Sequence, residues 1–171
     1  MTNQEKYKIA FRMTSRASTG LSFIEDYLME HFTTDSAYPR NFYILLSYNA
    51  ELILKSRVVM MGNFIDKDEV DKKLKSLSHD ILKISKALGD DELMRLGIKE
   101  ITQNGNQYKI TTIDGRGTII EDFADIRYDF IDGKVRTIDD KEHERVKEYI
   151  DTLFTILVNA KKENERTSLS R

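Results

Sequence analysis

Arg136 and His143 are the two residues of this chain whose types and spacing suit ribonuclease chemistry. They enclose the stretch RTIDDKEH, an arginine, six residues and a histidine, where a strand-like segment gives way to a strongly helical one. With eleven arginines and three histidines among 171 residues, such a pair arises from composition alone about as often as not. The spacing therefore poses the question of an RNA-cleaving site without answering it.

Four carboxylates lie in or beside the same stretch, namely those of Asp139, Asp140, Glu142 and Glu144. Such neighbours of His143 would repel an approaching phosphate. They also have a structural explanation, because acidic side chains at the beginning of a helix complement its dipole. We therefore treat catalysis by Arg136 and His143 as the alternative hypothesis for this chain.

Two other segments place polar side chains at helical spacing. In NAELILKS, Glu51 and Lys55 lie four residues apart in the order that supports a helix. Their structural interpretation is a partly exposed ion pair or a subunit contact, and their functional interpretation is ligand binding. In SLSHD, His79 and Asp80 are expected in the middle of a helix. A histidine there serves either in packing or capping, or in binding.

A third polar segment, ADIRYDF, adds Arg127 and Tyr128 to the candidate binding residues. If the segment is a strand, Arg127 lies on one face with Asp125 and Asp129, and Tyr128 lies on the other face. That arrangement gives a polar surface suited to binding. The structural alternative is an ion pair between strands, of small net value.

Taken in order, NAELILKS, LSHDILKI and IRYDF resemble the HEPN family. Members of that family typically show an Ala-Glu-x-x-Leu-Lys helix, a Gly-His-Asp-Leu-type helix and an Arg-Tyr pair. The resemblance covers roughly residues 38–160. Two departures are visible: Ser78 replaces the usual glycine before the histidine, and a β-rich insertion of about 30 residues precedes Arg127.

The resemblance implies a bundle of about four helices, frequently a homodimer, with roles in toxin–antitoxin and antiphage systems, RNA cleavage or non-catalytic binding. Catalytic members carry an arginine, four to six residues and a histidine near the start of the last long helix. In them the histidine acts on the ribose 2′-hydroxyl and the arginine stabilises charge on the phosphate, without a metal. If Arg127 is the family's arginine, Asp132, Gly133 and Lys134 occupy the positions five to seven residues on. That arginine therefore lacks its histidine.

Composition bounds the class of protein. The chain is 40% apolar and 33% charged with a single proline, which is typical of a globular, helix-rich domain. A formal net charge of −2 gives no global reason to expect nucleic-acid binding, and the absence of cysteine excludes disulfides and thiolate metal sites. We predict no metal site and no cofactor. The sequence has neither a signal-peptide core nor an apolar run long enough to span a membrane, so we expect a cytoplasmic protein.

Apolar periodicity predicts the helices. The first spans 3–32, with Gly20 as a site for a kink or a division into two pieces. The second, 41–61, is apolar nearly all round and should be the central helix of a bundle. A heptad pattern then runs from Val70 to Leu88 as one third helix, which Gly89 ends before a further short helix.

From Ile98 the apolar period changes to two, which predicts strands. Hairpin turns are expected at Asn104-Gly105, Asp114-Gly115 and Asp132-Gly133. A last heptad-like helix follows and ends in a polar tail. The sequence thus predicts a mainly α fold, a bundle of about four helices with a small antiparallel β insertion before the last helix.

The domain organisation follows from these elements. Residues 1–163 are expected to form a single HEPN-like domain with its β insertion at about 98–138, and 164–171 to form a polar tail that frays. The expected function is a dimeric binding or regulatory module without ribonuclease activity, in a toxin–antitoxin or defence system, with a protein partner encoded nearby. RNA or a nucleotide is a further candidate ligand. The alternative is a metal-independent endoribonuclease using Arg136 and His143.

Overall fold

The computed structural model describes residues 1–31, 41–105, 107–121 and 140–170. Within these ranges the chain forms six helices and three strands: α1 (Asn3–His31), α2 (Asn41–Met61), α3 (Lys67–Leu77), α4 (Ile81–Leu88), α5 (Asp90–Arg95), β1 (Ile98–Asn104), β2 (Gln107–Thr112), β3 (Gly117–Glu121) and α6 (Asp140–Leu169). The fold is mainly α with a small antiparallel sheet before the last helix, as the sequence predicts. The predicted turn at Asp132-Gly133 lies outside the described residues.

α2 is the central helix, as its apolar composition predicts. Every residue from 51 to 60 is buried, because α1 and α6 pack along it and β3 and α4 cover further sides. Its side chains Ile53 and Leu54 share one core with Leu21 of α1 and Leu153 of α6. None of the described helices is both long and apolar enough to cross a membrane.

α1 is one continuous helix through Gly20 and not two pieces. A Cβ atom built on Gly20 would lie 2.5 Å from Oδ1 of Asn49 on α2, and Asn49 is only 1% exposed. A glycine inside a helix costs about 1 kcal/mol relative to alanine. Here the cost is offset by packing, because the missing side chain lets α1 and α2 approach closely.

The single third helix predicted from the heptad pattern is wrong, because the chain forms α3 and α4 with a turn between them. The break occurs at Ser78, whose backbone has φ 53° and ψ −142°. The chain restarts as a helix after Asp80, whose carboxylate accepts a hydrogen bond from the Lys83 backbone N–H at 3.0 Å. Leu77 and Ile81, on either side of the break, are both buried. The apolar period thus continues across the break, and periodicity does not reveal it.

The three strands form one antiparallel sheet in the order β1-β2-β3. Ile101 pairs with Ile110, and Tyr108 pairs with Ile120. β3 packs against α2 and α6, and β1 against α4 and α5. Gly105 and Gly115 have φ values of 59° and 85°, which confirms the two turns predicted there, since glycine adopts this left-handed backbone without strain.

α6 extends to Leu169, beyond the point where the sequence predicts a fraying tail. Asn164 is 1% exposed. Its Oδ1 accepts a hydrogen bond from Arg57 Nη1 at 2.9 Å, and its Nδ2 donates to Ser56 Oγ at 3.2 Å. The polar side chain is therefore buried in a network with α2, and this network holds the last turns of α6 in place. Composition does not distinguish such a residue from one in a solvated tail.

Candidate functional site

The structure brings together three of the predicted binding residues. Glu51 and Lys55 lie on α2, and His79 lies in the turn between α3 and α4; together with Ser78 we call them the Glu51 cluster. Lys55 Nζ donates to Glu51 Oε1 at 2.6 Å and to the Ser78 carbonyl oxygen at 2.5 Å. His79 Nδ1 lies 2.8 Å from Glu51 Oε2. Two segments that are far apart in the sequence, NAELILKS and LSHDILKI, therefore meet in one polar network.

The backbone of Ser78 positions this network. Its left-handed conformation carries its carbonyl oxygen to Lys55, and its hydroxyl accepts a hydrogen bond from the His79 backbone N–H at 2.6 Å. An L-residue is strained in this conformation and glycine is not. Ser78 therefore stands at a position whose backbone geometry favours glycine.

The Glu51–Lys55 pair is buried, contrary to the partly exposed pair expected from the sequence. The two residues are 5% and 7% exposed, because α2 is covered on several sides. A buried charge is tolerated when an opposite charge and further hydrogen bonds compensate it. The His79 side chain, by contrast, is 45% exposed. The cluster thus consists of a buried ion pair and a histidine at the surface.

Glu51 fixes the proton position on the His79 ring. A carboxylate can only accept a hydrogen bond, so the ring nitrogen Nδ1 carries the proton that points to Oε2. In the neutral imidazole, Nε2 is then the acceptor. The charges of Glu51 and Lys55 are engaged inside the protein, and His79 and Ser78 are the members of the cluster that reach the surface. The arrangement is suited to holding one histidine in a fixed orientation for recognition.

The remaining candidate residues are not part of this cluster. Asp80 caps α4, and its carboxylate lies 3.7 Å from Lys83 Nζ. The expectation that His79 and Asp80 lie in the middle of a helix is therefore wrong, since Asp80 begins a helix and His79 precedes it. Arg127, Tyr128 and Arg136 lie outside the described residues. His143 belongs to the first turn of α6, and its side chain is outside the described part of the chain.

A second buried network was not found by the sequence reasoning. Arg57 of α2 is 0% exposed, and its guanidinium lies 2.6 Å from Glu92 of α5 and donates to Asn164 of α6. This arginine joins three helices. The available signal was an arginine inside the apolar run of α2, a helix with no solvated face on which to place it. Its partners could not be predicted, because they come from distant helices.

The turn between β2 and β3 carries an ion pair that fastens the sheet to α6. Arg116 lies 2.7 Å from the Asp114 carboxylate and donates to Thr155 Oγ of α6 at 3.2 Å. The Arg116 guanidinium, followed by the Thr112 hydroxyl, lowers the pKa of Asp114 to about 2. The pKa of Arg116 is raised, mainly by its hydrogen bond to Asp114. These contacts give the turn a structural role.

Comparisons of the chain with protein-family models, with curated proteins and with solved structures found no match. Among the side chains that the structure describes, no group of three or more His, Asp or Glu residues is placed to hold a metal ion. The fold and the site therefore define only a structural class of protein. It is a mainly α-helical protein in which a buried glutamate–lysine pair on the central helix holds a histidine at the surface.

Proposed function

We propose that this chain is a HEPN-like binding or regulatory module without ribonuclease activity. In this proposal it acts as a dimer and engages a protein partner encoded nearby, within a toxin–antitoxin or defence system. The observation that carries the proposal is the Glu51 cluster, because it joins in space the two segments, NAELILKS and LSHDILKI, that resemble the family's Glu-Lys and His-Asp helices. The joint occurrence of those segments has a structural reason in one hydrogen-bonded network.

The state of the cluster favours recognition over catalysis. Lys55 donates to Glu51 and to the Ser78 carbonyl, and Glu51 is in contact with both Lys55 and His79. Both charges are therefore engaged by other groups of the protein. A general acid or base needs further groups around the reacting atoms, whereas recognition needs only a surface of fixed geometry, to which the exposed residues Ser78 and His79 contribute. The missing histidine after Arg127 supports the same proposal.

The partner-binding test uses a surface substitution with a matched control. The tagged chain is expressed together with its neighbouring genes, as wild type, as His79→Ala and as Lys75→Ala. Lys75 is an exposed residue of the adjoining helix α3, so its loss controls for a general change of the surface. We expect a neighbouring gene product to co-purify with the wild type and with Lys75→Ala and to be lost with His79→Ala. Failure of any neighbouring product to co-purify with the wild type would contradict the proposed partner.

The second candidate function is a metal-independent endoribonuclease using Arg136 and His143. One observation favours it: α6 begins at Asp140, which puts His143 on the first turn of the last long helix, where the resemblance expects a catalytic histidine. The purified protein at high concentration is incubated with labelled RNA in the presence of EDTA. Our proposal expects intact RNA. Cleavage that is abolished by His143→Ala would overturn it in favour of the enzyme.

A further inference from the structure

α1 and α6 run antiparallel along one side of the bundle. Near one end, Asn3 and Gln4 donate to the carbonyl oxygens of Ser170 and Ser168. Further along, Lys161 Nζ donates to Ser18 Oγ at 3.3 Å. The first half of α1 therefore lies beside the last half of α6, and the end of α1 lies beside the beginning of α6.

The exposed and half-buried charges on these two helices are segregated between the two ends. The cations at one end are Lys8, Arg12 and Arg16 of α1 and Lys161, Lys162 and Arg166 of α6, against three carboxylates, Glu5, Glu163 and Glu165. The carboxylates at the other end are Glu25, Asp26, Glu144, Glu148 and Asp151, against two cations, Arg145 and Lys147. Among the side chains that the structure describes, these charges sum to three at each end, positive at the first and negative at the second.

The order of charges on α1 is not explained by the helix itself. The helix dipole acts only on charges within the first and last turns, and Arg12 and Asp26 lie more than one turn from either end of α1. Nor does the chain neutralise them, since Arg12, Asp26 and Lys162 form no ion pair with other described residues. Arg116 lies near the acidic end but is paired with Asp114 at 2.7 Å.

Four of these charges are also arranged as a palindrome, with opposite signs at equal distances on either side of one level of the two helices. Arg12 and Asp26 lie equally far from Thr19 along α1, and Glu148 and Lys162 lie equally far from Thr155 along α6. Thr19 and Thr155 lie at nearly the same level of the antiparallel pair. The register follows from two contacts between the helices, Gln4 with Ser168 and Ser18 with Lys161. A two-fold axis that passes through this level, lies in the plane of the contact and is perpendicular to the helices brings Arg12 opposite Asp26 and Glu148 opposite Lys162.

We propose that the exposed surface of α1 and α6, which we call the α1–α6 face, binds a second copy of this chain about such an axis. Each helix then lies antiparallel to its own copy, and Arg12 meets Asp26 of the partner subunit while Glu148 meets the partner's Lys162. An axis parallel to the helices would place like charges opposite each other, so the charge pattern selects the perpendicular one. A two-fold interface uses the same patch on both copies, which a palindrome of charges requires.

The middle of the face fits close approach of two copies. Near the axis α1 carries the small polar residues Ser15, Ser18, Thr19 and Ser22 beside the exposed Arg16 and Phe23, while α6 contributes Thr155 and the exposed Val158. The small side chains let helix axes come together, and the four charges Arg12, Asp26, Glu148 and Lys162 lie about two turns from the axis. The inference rests on the proposed function for the expectation that two copies associate, and the charges alone identify the face.

The first experiment measures association by analytical ultracentrifugation at low and high salt. Variant A carries Arg12→Glu and Lys162→Glu, and variant B carries Asp26→Lys and Glu148→Lys. Because every contact then joins like charges, we expect each variant alone to dimerise at least about tenfold more weakly than the wild type. An equimolar mixture of A and B restores opposite charges at every contact and should form a heterodimer. Lys73→Glu with Lys75→Glu on α3 matches the net charge of variant A and should leave dimerisation unchanged.

The second experiment exploits the absence of cysteine from the chain. Thr19→Cys places one thiol near the proposed axis, and Lys75→Cys places one on exposed α3. With a short bis-maleimide we expect a covalent dimer from Thr19→Cys and none from Lys75→Cys.

Three results would overturn the inference. One is a wild-type monomer at high protein concentration and low salt, and another is a wild type that binds a labelled single-stranded RNA through Arg12 while remaining monomeric. The third is a dimer that neither variant A nor variant B weakens and that Thr19→Cys does not cross-link. The third result places the dimer interface on another face and does not contradict the proposed function. Conversely, if no partner protein binds but the dimer responds to the variants as expected, the proposed function is refuted and the α1–α6 face stands as the dimer interface.

Discussion

Two ion pairs of the same spacing and distance in this chain differ in burial and in their further contacts, which makes the energy of the Glu51 cluster measurable. Glu51–Lys55 and Asp71–Lys75 each join a carboxylate to a lysine four residues later, and each has an N–O distance of 2.6 Å. The side chains of the first pair are 7% and 9% exposed, and those of the second are 59% and 77% exposed. Any difference between their contributions to stability therefore reflects the surroundings.

We expect Lys55→Met to lower the free energy of unfolding by about 3 kcal/mol, at the lower end of the range for breaking a buried pair. The substitution leaves the Glu51 carboxylate buried without its cation and the Ser78 carbonyl without its donor, while His79 still contacts Glu51. The double variant Glu51→Gln with Lys55→Met removes both charges. It should recover about 2 kcal/mol, because no uncompensated charge remains.

The measurement is urea unfolding at pH 7 followed by far-ultraviolet circular dichroism, with one slope shared by all variants. Lys75→Met is the control and should be indistinguishable from the wild type, since an exposed pair contributes little. The reasoning is refuted if Lys55→Met and Lys75→Met unfold at the same urea concentration. It is also refuted if the double variant is less stable than Lys55→Met alone.

Three further expectations concern single positions. Because the folded pKa of Asp114 is about 2, below its ordinary value of 3.8, its contribution to stability is complete above pH 3.8 and is lost as the pH falls toward 2. Carboxyl NMR should show a titration midpoint near 2 that rises in the Arg116→Ala variant. An unchanged midpoint in that variant contradicts the pairing. Gly20→Ala should lower the unfolding midpoint, because its methyl group would meet the buried Asn49 side chain; a rise in stability, as for alanine in an open helix, would be the opposite result. Ser78→Gly should be more stable than Ser78→Ala by about 1 kcal/mol in urea unfolding, because glycine relieves the left-handed backbone, and equal stabilities would argue against strain there.

The helices and turns were predictable where a local property decides them. The apolar stretch of α2 requires burial on all sides, wherever the neighbours come from. Glycine at Gly105 and Gly115 permits the left-handed backbone of a tight turn, so these dipeptides locate the hairpins by themselves. The division between α3 and α4 was missed, because Leu77 and Ile81 keep the helical period on both sides of the break.

The candidate site was predictable as a set of residues but not as a site. Short motifs indicate Glu51, Lys55 and His79 one by one as candidate binding residues. Nothing in those motifs shows that the three side chains are in contact. Their contact depends on the turn at Ser78, which brings the end of α3 onto α2. Asp80 was chosen by the same motif and turned out to cap α4.

The sequence by itself determined the helical class, the central helix and the hairpin turns at Gly105 and Gly115, because periodicity and the backbone freedom of glycine act over a few residues. Only the tertiary structure decided which polar residues are buried and which partners they have. Lys55, Arg57 and Asn164 are of residue types that usually lie at the surface, and they are buried in hydrogen-bonded networks in the fold. The physical reason is that a charge is stable in the interior only when an opposite charge or several hydrogen bonds reach it, and those groups come from helices far apart in the chain.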